Sequence, residues 1–167
     1  LPAAPPTAMT HSTNTVDAPA DVRPVAGYVR VSTKAQEVER QEASIPARHS
    51  SLPDGLASNA LELFDDKGLS AYSGRTRPGY EAMVERIARG EFSALIVDTS
   101  SRLTRQGIEE ALPFMFALKR VGTRLFTTEG REYTFDMPGY MQMVMDAAGD
   151  ERYSATLSHN ISSGKAT

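Results

Sequence analysis

Residues 93–97 read Ser-Ala-Leu-Ile-Val, with no polar side chain from Ala94 to Val97. A strand that shows one face to water alternates polar and apolar residues. One that is apolar throughout is covered on both faces, as in a parallel sheet with helices on either side. Val25 to Val31 is a similar run, Leu61-Glu62-Leu63-Phe64 is a short strand, and Thr123 to Thr127 is another. Helical stretches separate them. The first spans Lys34 to Arg48, with Thr33 and Gln36 at the spacing of a capping box. Ile45-Pro46 marks its end, ahead of a longish loop over Ser50 to Ser58. The second runs from Pro78, in its first turn, to Arg89, with Gly90 as its stop. The third passes through Ile108, Leu112, Met115, Leu118 and Lys119 and ends at Gly122, with Pro113 kinking or dividing it. The last starts at Met137, capped by Asp136, with Pro138 in its first turn. The alternation predicts one α/β fold, a mostly parallel sheet with helices on both faces.

Composition narrows the chemistry. The chain has 167 residues, 40% hydrophobic and 23% charged, which suits a single domain with a real core. It has no cysteine, which removes disulfides, thiolate nucleophiles and cysteine zinc sites and fits a reducing cytoplasm. No apolar run reaches membrane-spanning length, so no membrane partner is expected. Residues 1–23, rich in Ala, Pro and Thr, read as a disordered leader. The net charge of −3 argues against gripping a polyanion through bulk charge, so any nucleic-acid role must rest on a local basic cluster or on sequence further along.

Ligands of open α/β sheets bind beyond the carboxyl ends of the strands. Three segments carry arginines to that edge: Arg30, then Arg75 and Arg77, then Arg102 and Arg105. Arg30 and Ser32 sit two residues apart at the end of the first strand, so they point the same way with Cα atoms about 6.6 Å apart. Arg102 and Arg105 share a face if their segment is helical. Taken singly, each has an ordinary explanation: Ser32 as a helix cap, Arg30 reaching solvent, the other arginines in a solvated loop or an exposed helix start. Together they describe a site for a phosphate, whose oxygens guanidinium forks match with paired hydrogen bonds. Losing one such donor typically costs about 3–4 kcal/mol of transition-state stabilisation. His11, His49 and His159 read as surface residues and Asp65-Asp66 as a solvated turn. No Gly-x-Ser-x-Gly elbow, phosphate-binding loop or metal-ligand spacing is present, so neither metal nor cofactor is expected.

Tyr28-Val29-Arg30-Val31-Ser32-Thr33, with Gln36 and Gln41 downstream, resembles the catalytic motif of the serine recombinases. Arg77-Pro78-Gly79 resembles the arginine loop of the family's larger members, and Ser101-Arg102-Leu103-Thr104-Arg105 its Asp-Arg-Leu-x-Arg segment. The resemblance spans about Pro24 to Lys165 and implies a resolvase-like three-layer fold with a long C-terminal helix for oligomerisation. It divides the chain into the leader (1–23), a catalytic domain (24–136) and a helix (137–167) leading to a DNA-binding region. It implies Ser32 as nucleophile on a DNA phosphodiester, with Arg30, Arg77, Arg102 and Arg105 binding the scissile phosphate. Gln36, Gln41 and Ser101 would support the site, and Arg75 is a bystander or a substitute for Arg77. Ser101 stands where the family commonly has aspartate, and Asp98, three residues earlier, is a doubtful replacement by register. The implied partners are double-stranded DNA and further copies of the chain, as a dimer assembling to a synaptic tetramer. The large integrase or transposase branch fits better than a small resolvase. Along the last helix, Tyr140, Met141, Val144, Met145 and Ala148 are more apolar than one packed stripe requires, either because the helix is thoroughly buried or because it meets a partner subunit. Rival functions are a nuclease using the same arginines, a non-catalytic DNA-assembly module and a small-anion sensor.

Overall fold

The computed structural model describes residues 19–30, 35–66, 77–99 and 108–162, the last thirteen as backbone. Strands β1 (Val25–Val29), β2 (Leu61–Asp65), β3 (Ala94–Val97), β4 (Arg124–Thr127) and β5 (Glu132–Tyr133) form one sheet. Their order is β2-β1-β3-β4-β5. The first four are parallel and β5 runs antiparallel to β4. Helices α1 (Ala35–Ser50), α2 (Pro78–Ala88), α3 (Ile108–Val121) and α4 (Met137–Ser162) complete the fold. Every residue of β1 and β3 is buried, as a doubly covered sheet demands.

Residue parity sorts the core into two layers. Ala26 and Tyr28, Phe64, Leu95 and Val97, and Leu125 pack with α2, α3 and α4. Val25 and Val29, Leu61, Ala94 and Ile96, and Phe126 pack with Ile45 and Val38 of α1 and with Leu52 and Leu56 beyond it. Gly27 lets α1 lie close. A Cβ there would stand 2.7 Å from Ile45 Cγ2 and 2.8 Å from Leu63 Cδ2, too near for either to stay in place.

Two prolines depart from expectation. α1 does not end at Pro46 but runs through it to Ser50. An interior proline costs roughly 3 kcal/mol, and tertiary ties offset it. Ile45 is fully buried, Arg48 Nε donates to the Thr127 carbonyl (2.9 Å), and the His49 ring donates to the Asn59 carbonyl (2.8 Å). His49, expected on the surface, is therefore half-buried and bonded. Pro113 does not divide α3, which is continuous around it. Pro113 is exposed while Ala111, Met115 and Leu118 are buried on the packed side. Strand β5 was not foreseen, since two residues after a turn at Gly130 (φ 91°) carry no periodicity of their own.

Other local signals hold. Gly90 and Gly122 follow α2 and α3 with φ of 74° and 71°, the left-handed conformation that ends a helix. Asp136 caps α4, its Oδ1 accepting the Gly139 N–H (3.0 Å) and the Thr134 hydroxyl (2.6 Å). Those bonds hold its carboxyl below the usual aspartate range. Residues 1–18 of the expected leader and Thr33 of the expected capping box lie outside the described residues. Arg23 is tied to the body, donating to the carbonyls of Gly90, Val121 and Gly122 at 2.9–3.0 Å. Among the described residues, no helix is long and apolar enough to cross a membrane.

Candidate active site

The carboxyl edge of the sheet is organised around Asp66, the first residue past β2. It is 2% exposed, not the solvated turn expected of Asp65-Asp66. Its Oδ1 accepts the Gly79 N–H (2.8 Å), and its Oδ2 accepts the Tyr80 N–H (2.9 Å) and the Tyr28 hydroxyl (2.8 Å). The first two are free N–H groups of the first turn of α2, where a carboxylate also meets the positive end of the helix dipole. Arg77, the N-cap residue of α2, makes no side-chain cap itself, so Asp66 does that work from another element. Gly79 makes the seating possible, because a Cβ there would run into the Asp65 carbonyl.

This seat fixes Arg77. Its side chain is buried, and its guanidinium carbon lies 4.0 Å from the centroid of the Tyr80 ring. Tyr80 meets Tyr28 edge-on, ring centroids 5.5 Å apart. Arg30, half-buried just past β1, continues the parity of Ala26 and Tyr28 toward the same side of the sheet. Burial and the Asp66 carboxylate push the Tyr28 phenol well above its ordinary value, while the charges of Arg77 and Arg30 pull it back. Both guanidinium groups thus act on one tyrosine. β1, β2 and α2 deliver Tyr28, Arg30, Asp66 and Arg77 to one place.

The second carboxylate at this edge, Asp98, lies past β3 on the opposite face, in register with Ala94 and Ile96 of the α1 layer. It is buried, accepting the Thr128 hydroxyl on Oδ1 (2.9 Å) and Arg40 Nη2 on Oδ2 (3.4 Å).

The two glutamines part company. Gln41 is fully buried on the sheet-facing side of α1, flanked by Val38 and Ile45, and neither of its amide atoms has a hydrogen-bond partner among the described residues. An unpaired buried amide normally costs about 1–3 kcal/mol. Gln36 is exposed, since five residues along a helix turn the side chain about 140° away. Ser32, Arg75, Ser101, Arg102 and Arg105 lie outside the described residues. Among the described residues, no group of three His, Asp or Glu could hold a metal ion.

On α4, Gly139, Met143 and Ala147 face the body, and a Cβ at Gly139 would overlap the Thr134 carbonyl. The row Tyr140, Val144 and Ala148 is half-buried, and Met137, Met141 and Met145 form an outer row 57–69% exposed. Phe116 of α3, 53% exposed, stacks edge-on against Tyr140 at 5.1 Å. The five residues expected at a subunit contact thus divide into two on the outer row and three on its flank. Asp146 ties α4 to the β5 region through the Tyr133 hydroxyl (2.5 Å) and Arg131 (3.0 Å).

A mostly parallel α/β sheet that gathers Tyr28, Arg30, Asp66 and Arg77 at its carboxyl edge places them where ligands of such folds bind. Residues 25–167 match the family model of the resolvase N-terminal domain, and the chain belongs to that family, carrying the catalytic domain of the serine recombinases. A resolvase-family site-specific recombinase from Streptococcus pneumoniae shares the fold at a TM-score of 0.59 and 22% identity, over 82% of this chain and 93% of that one. The N-terminal catalytic domain of TP901-1 integrase does so at 0.51 and 17%, over 81% of this chain and 98% of that one. No curated protein matches the sequence.

Proposed function

We propose that this domain cuts and rejoins double-stranded DNA at specific sites through a covalent serine intermediate. The Ser32 oxygen forms a bond to the scissile phosphorus as the bond from phosphorus to the 3′ oxygen breaks, and the proton leaving the serine is balanced by the one gained on the 3′ hydroxyl. The product is a 5′-phosphoserine link, which stores the ester bond, so religation needs no nucleotide. Arg30 and Arg77, with Arg102 and Arg105, neutralise the phosphate and the charge that grows in the transition state. Gln36, Gln41 and Ser101 are the supporting residues in this reading, and Arg75 is a bystander or a substitute for Arg77.

The observation that carries this reading is the convergence of Arg30 and Arg77 on Tyr28, with Asp66 seating the helix that bears Arg77. Strand exchange needs more than one subunit. The outer methionine row of α4 and Phe116 supply an adaptable apolar face for a second copy, first as a dimer and then as a synaptic tetramer. In this division, residues 24–136 carry the chemistry and 137–167 the assembly helix. The large integrase or transposase branch is the favoured placement, by the leader (1–23), the Ser50–Ser58 loop and the serine at 101.

The test is a denaturing gel of the full-length parent incubated with duplex DNA bearing its recombination site. A covalent adduct at the 5′ end, absent from Ser32→Ala, is expected. Cleavage without an adduct would point to a nuclease, and specific binding with neither would point to an assembly module.

A further inference from the structure

The family likeness leaves a gap at Ser101, where a carboxylate is commonly found, and Asp98 is the nearest acid before it in sequence. The geometry assigns Asp98 a different task. Its register places it on the α1 face, whereas Tyr28, Asp66 and Arg77 belong to the opposite face. Both of its oxygens are engaged, and its side chain is 8% exposed. A carboxylate held in this way is not presented to a phosphodiester, which it would also repel.

What Asp98 holds is the end of the sheet. Regular pairing of β3 with β4 stops at Val97 and Thr127. Thr128 extends it, donating its N–H to the Val97 carbonyl (3.0 Å) and its hydroxyl to Asp98 Oδ1. The Arg40 contact is long and comes from a side chain 59% exposed, so it adds little. The Thr128 bond joins the exits of two neighbouring strands just before the chain leads to Arg102 and Arg105. We infer that Asp98 is a positioning residue. Its hydrogen bond to Thr128 fixes the carboxyl end of β3 against that of β4, next in sequence to the arginines proposed to bind the phosphate. The inference rests on the recombinase reading of the site above.

The experiment uses the full-length parent and duplex DNA carrying its recombination site, with four variants: Asp98→Ala, Asp98→Asn, Thr128→Val and Thr128→Ser. Asn and Ser keep an acceptor and a donor at these positions, and Ala and Val do not. Expected is a loss of about 10–100-fold in the rate of adduct formation for Asp98→Ala and Thr128→Val, the scale of a small misplacement of catalytic groups. DNA binding should stay intact, and Asp98→Asn and Thr128→Ser should restore most of the rate. Asparagine as damaging as alanine would show that the carboxylate itself acts in the chemistry and would overturn the inference. So would wild-type rates in both Asp98→Ala and Thr128→Val. Backbone hydrogen exchange gives a second readout that needs no reaction. Amides at the carboxyl ends of β3 and β4, residues 97–99 and 127–128, should exchange faster in Asp98→Ala and Thr128→Val, with those of α2 unchanged; no difference would sink the positioning role. A wild-type protein that forms no adduct would overturn the recombinase reading, while the exchange result still decides the role of Asp98.

Discussion

The two edges of the sheet use the same side chain for opposite ends. At the amino edge, Arg23 is surrounded by acceptors: the carbonyls of Gly90, Val121 and Gly122, where α2 and α3 finish, and the Asp21 carboxylate. Helix C-termini are the negative ends of their dipoles, and a guanidinium there is consumed by structure. At the carboxyl edge, Arg77 stands at the start of a helix whose N–H groups are already taken by Asp66, and it rests on an aromatic face. Here the helix terminus is satisfied by the Asp66 carboxylate, and the arginine beside it is seated by its aromatic neighbour rather than by helix carbonyls. An arginine in an α/β fold is thus read less from its own exposure than from which end of the helices it meets.

The contrast predicts that arginines of one edge govern rate and those of the other govern stability. The largest effect should come from Arg30→Ala, with adduct formation falling by roughly 100–1,000-fold at nearly unchanged thermal stability. A comparable loss of stability would move Arg30 into the class of Arg23. Next is Asp66→Ala, which removes a helix cap and leaves the buried Tyr28 hydroxyl unpaired, for about 3 kcal/mol in chemical denaturation. A loss under 1 kcal/mol would mean that α2 holds its place without it. Arg23→Ala should cost about 2 kcal/mol, the scale of a hydrogen-bonded charge, and leave the rate of adduct formation unaltered. A fall in that rate would erase the division between the edges.

The smallest effect is at alkaline pH. Tyr28 is held protonated above its ordinary value of 10.0. Below that value both folded and unfolded states keep the proton, and this contribution to stability is complete. As pH rises past it, the unfolded chain releases the proton first, so stability declines by up to about 1.4 kcal/mol per pH unit. Unfolding curves of wild type and Tyr28→Phe between about pH 9.5 and 11 should differ in slope. Equal slopes would place the alkaline loss elsewhere.

Much of the architecture was legible because its signals are local. Four strands, the proline start of α2, the glycine stops after α2 and α3 and the Asp136 cap each depend on neighbours within a turn. Pro46 misled because its local cost is outweighed by contacts of Ile45, Arg48 and His49 with distant strands and loops. Arg30 and Arg77 could be placed at one edge by topology alone. Asp66 could not be recognised, since its partners are Tyr28, 38 residues before it, and the N–H groups of Gly79 and Tyr80, 13 and 14 residues after it. Two adjacent aspartates before a glycine look like any polar turn until the fold closes around one of them.

The bare backbone of Gly27 has a consequence for how such a sequence can change over generations. Of the two side chains crowding the missing Cβ, Leu63 is 51% exposed and can swing outward, but Ile45 is fully buried and its branch methyl has nowhere to go. Alanine at 27 therefore carries an overpacking cost of about 1–3 kcal/mol while Ile45 remains. After Ile45→Leu, which withdraws the branch methyl, the same alanine fills the space it left. The order of the two steps decides how much stability is lost on the way, and the path through position 45 first avoids the clash.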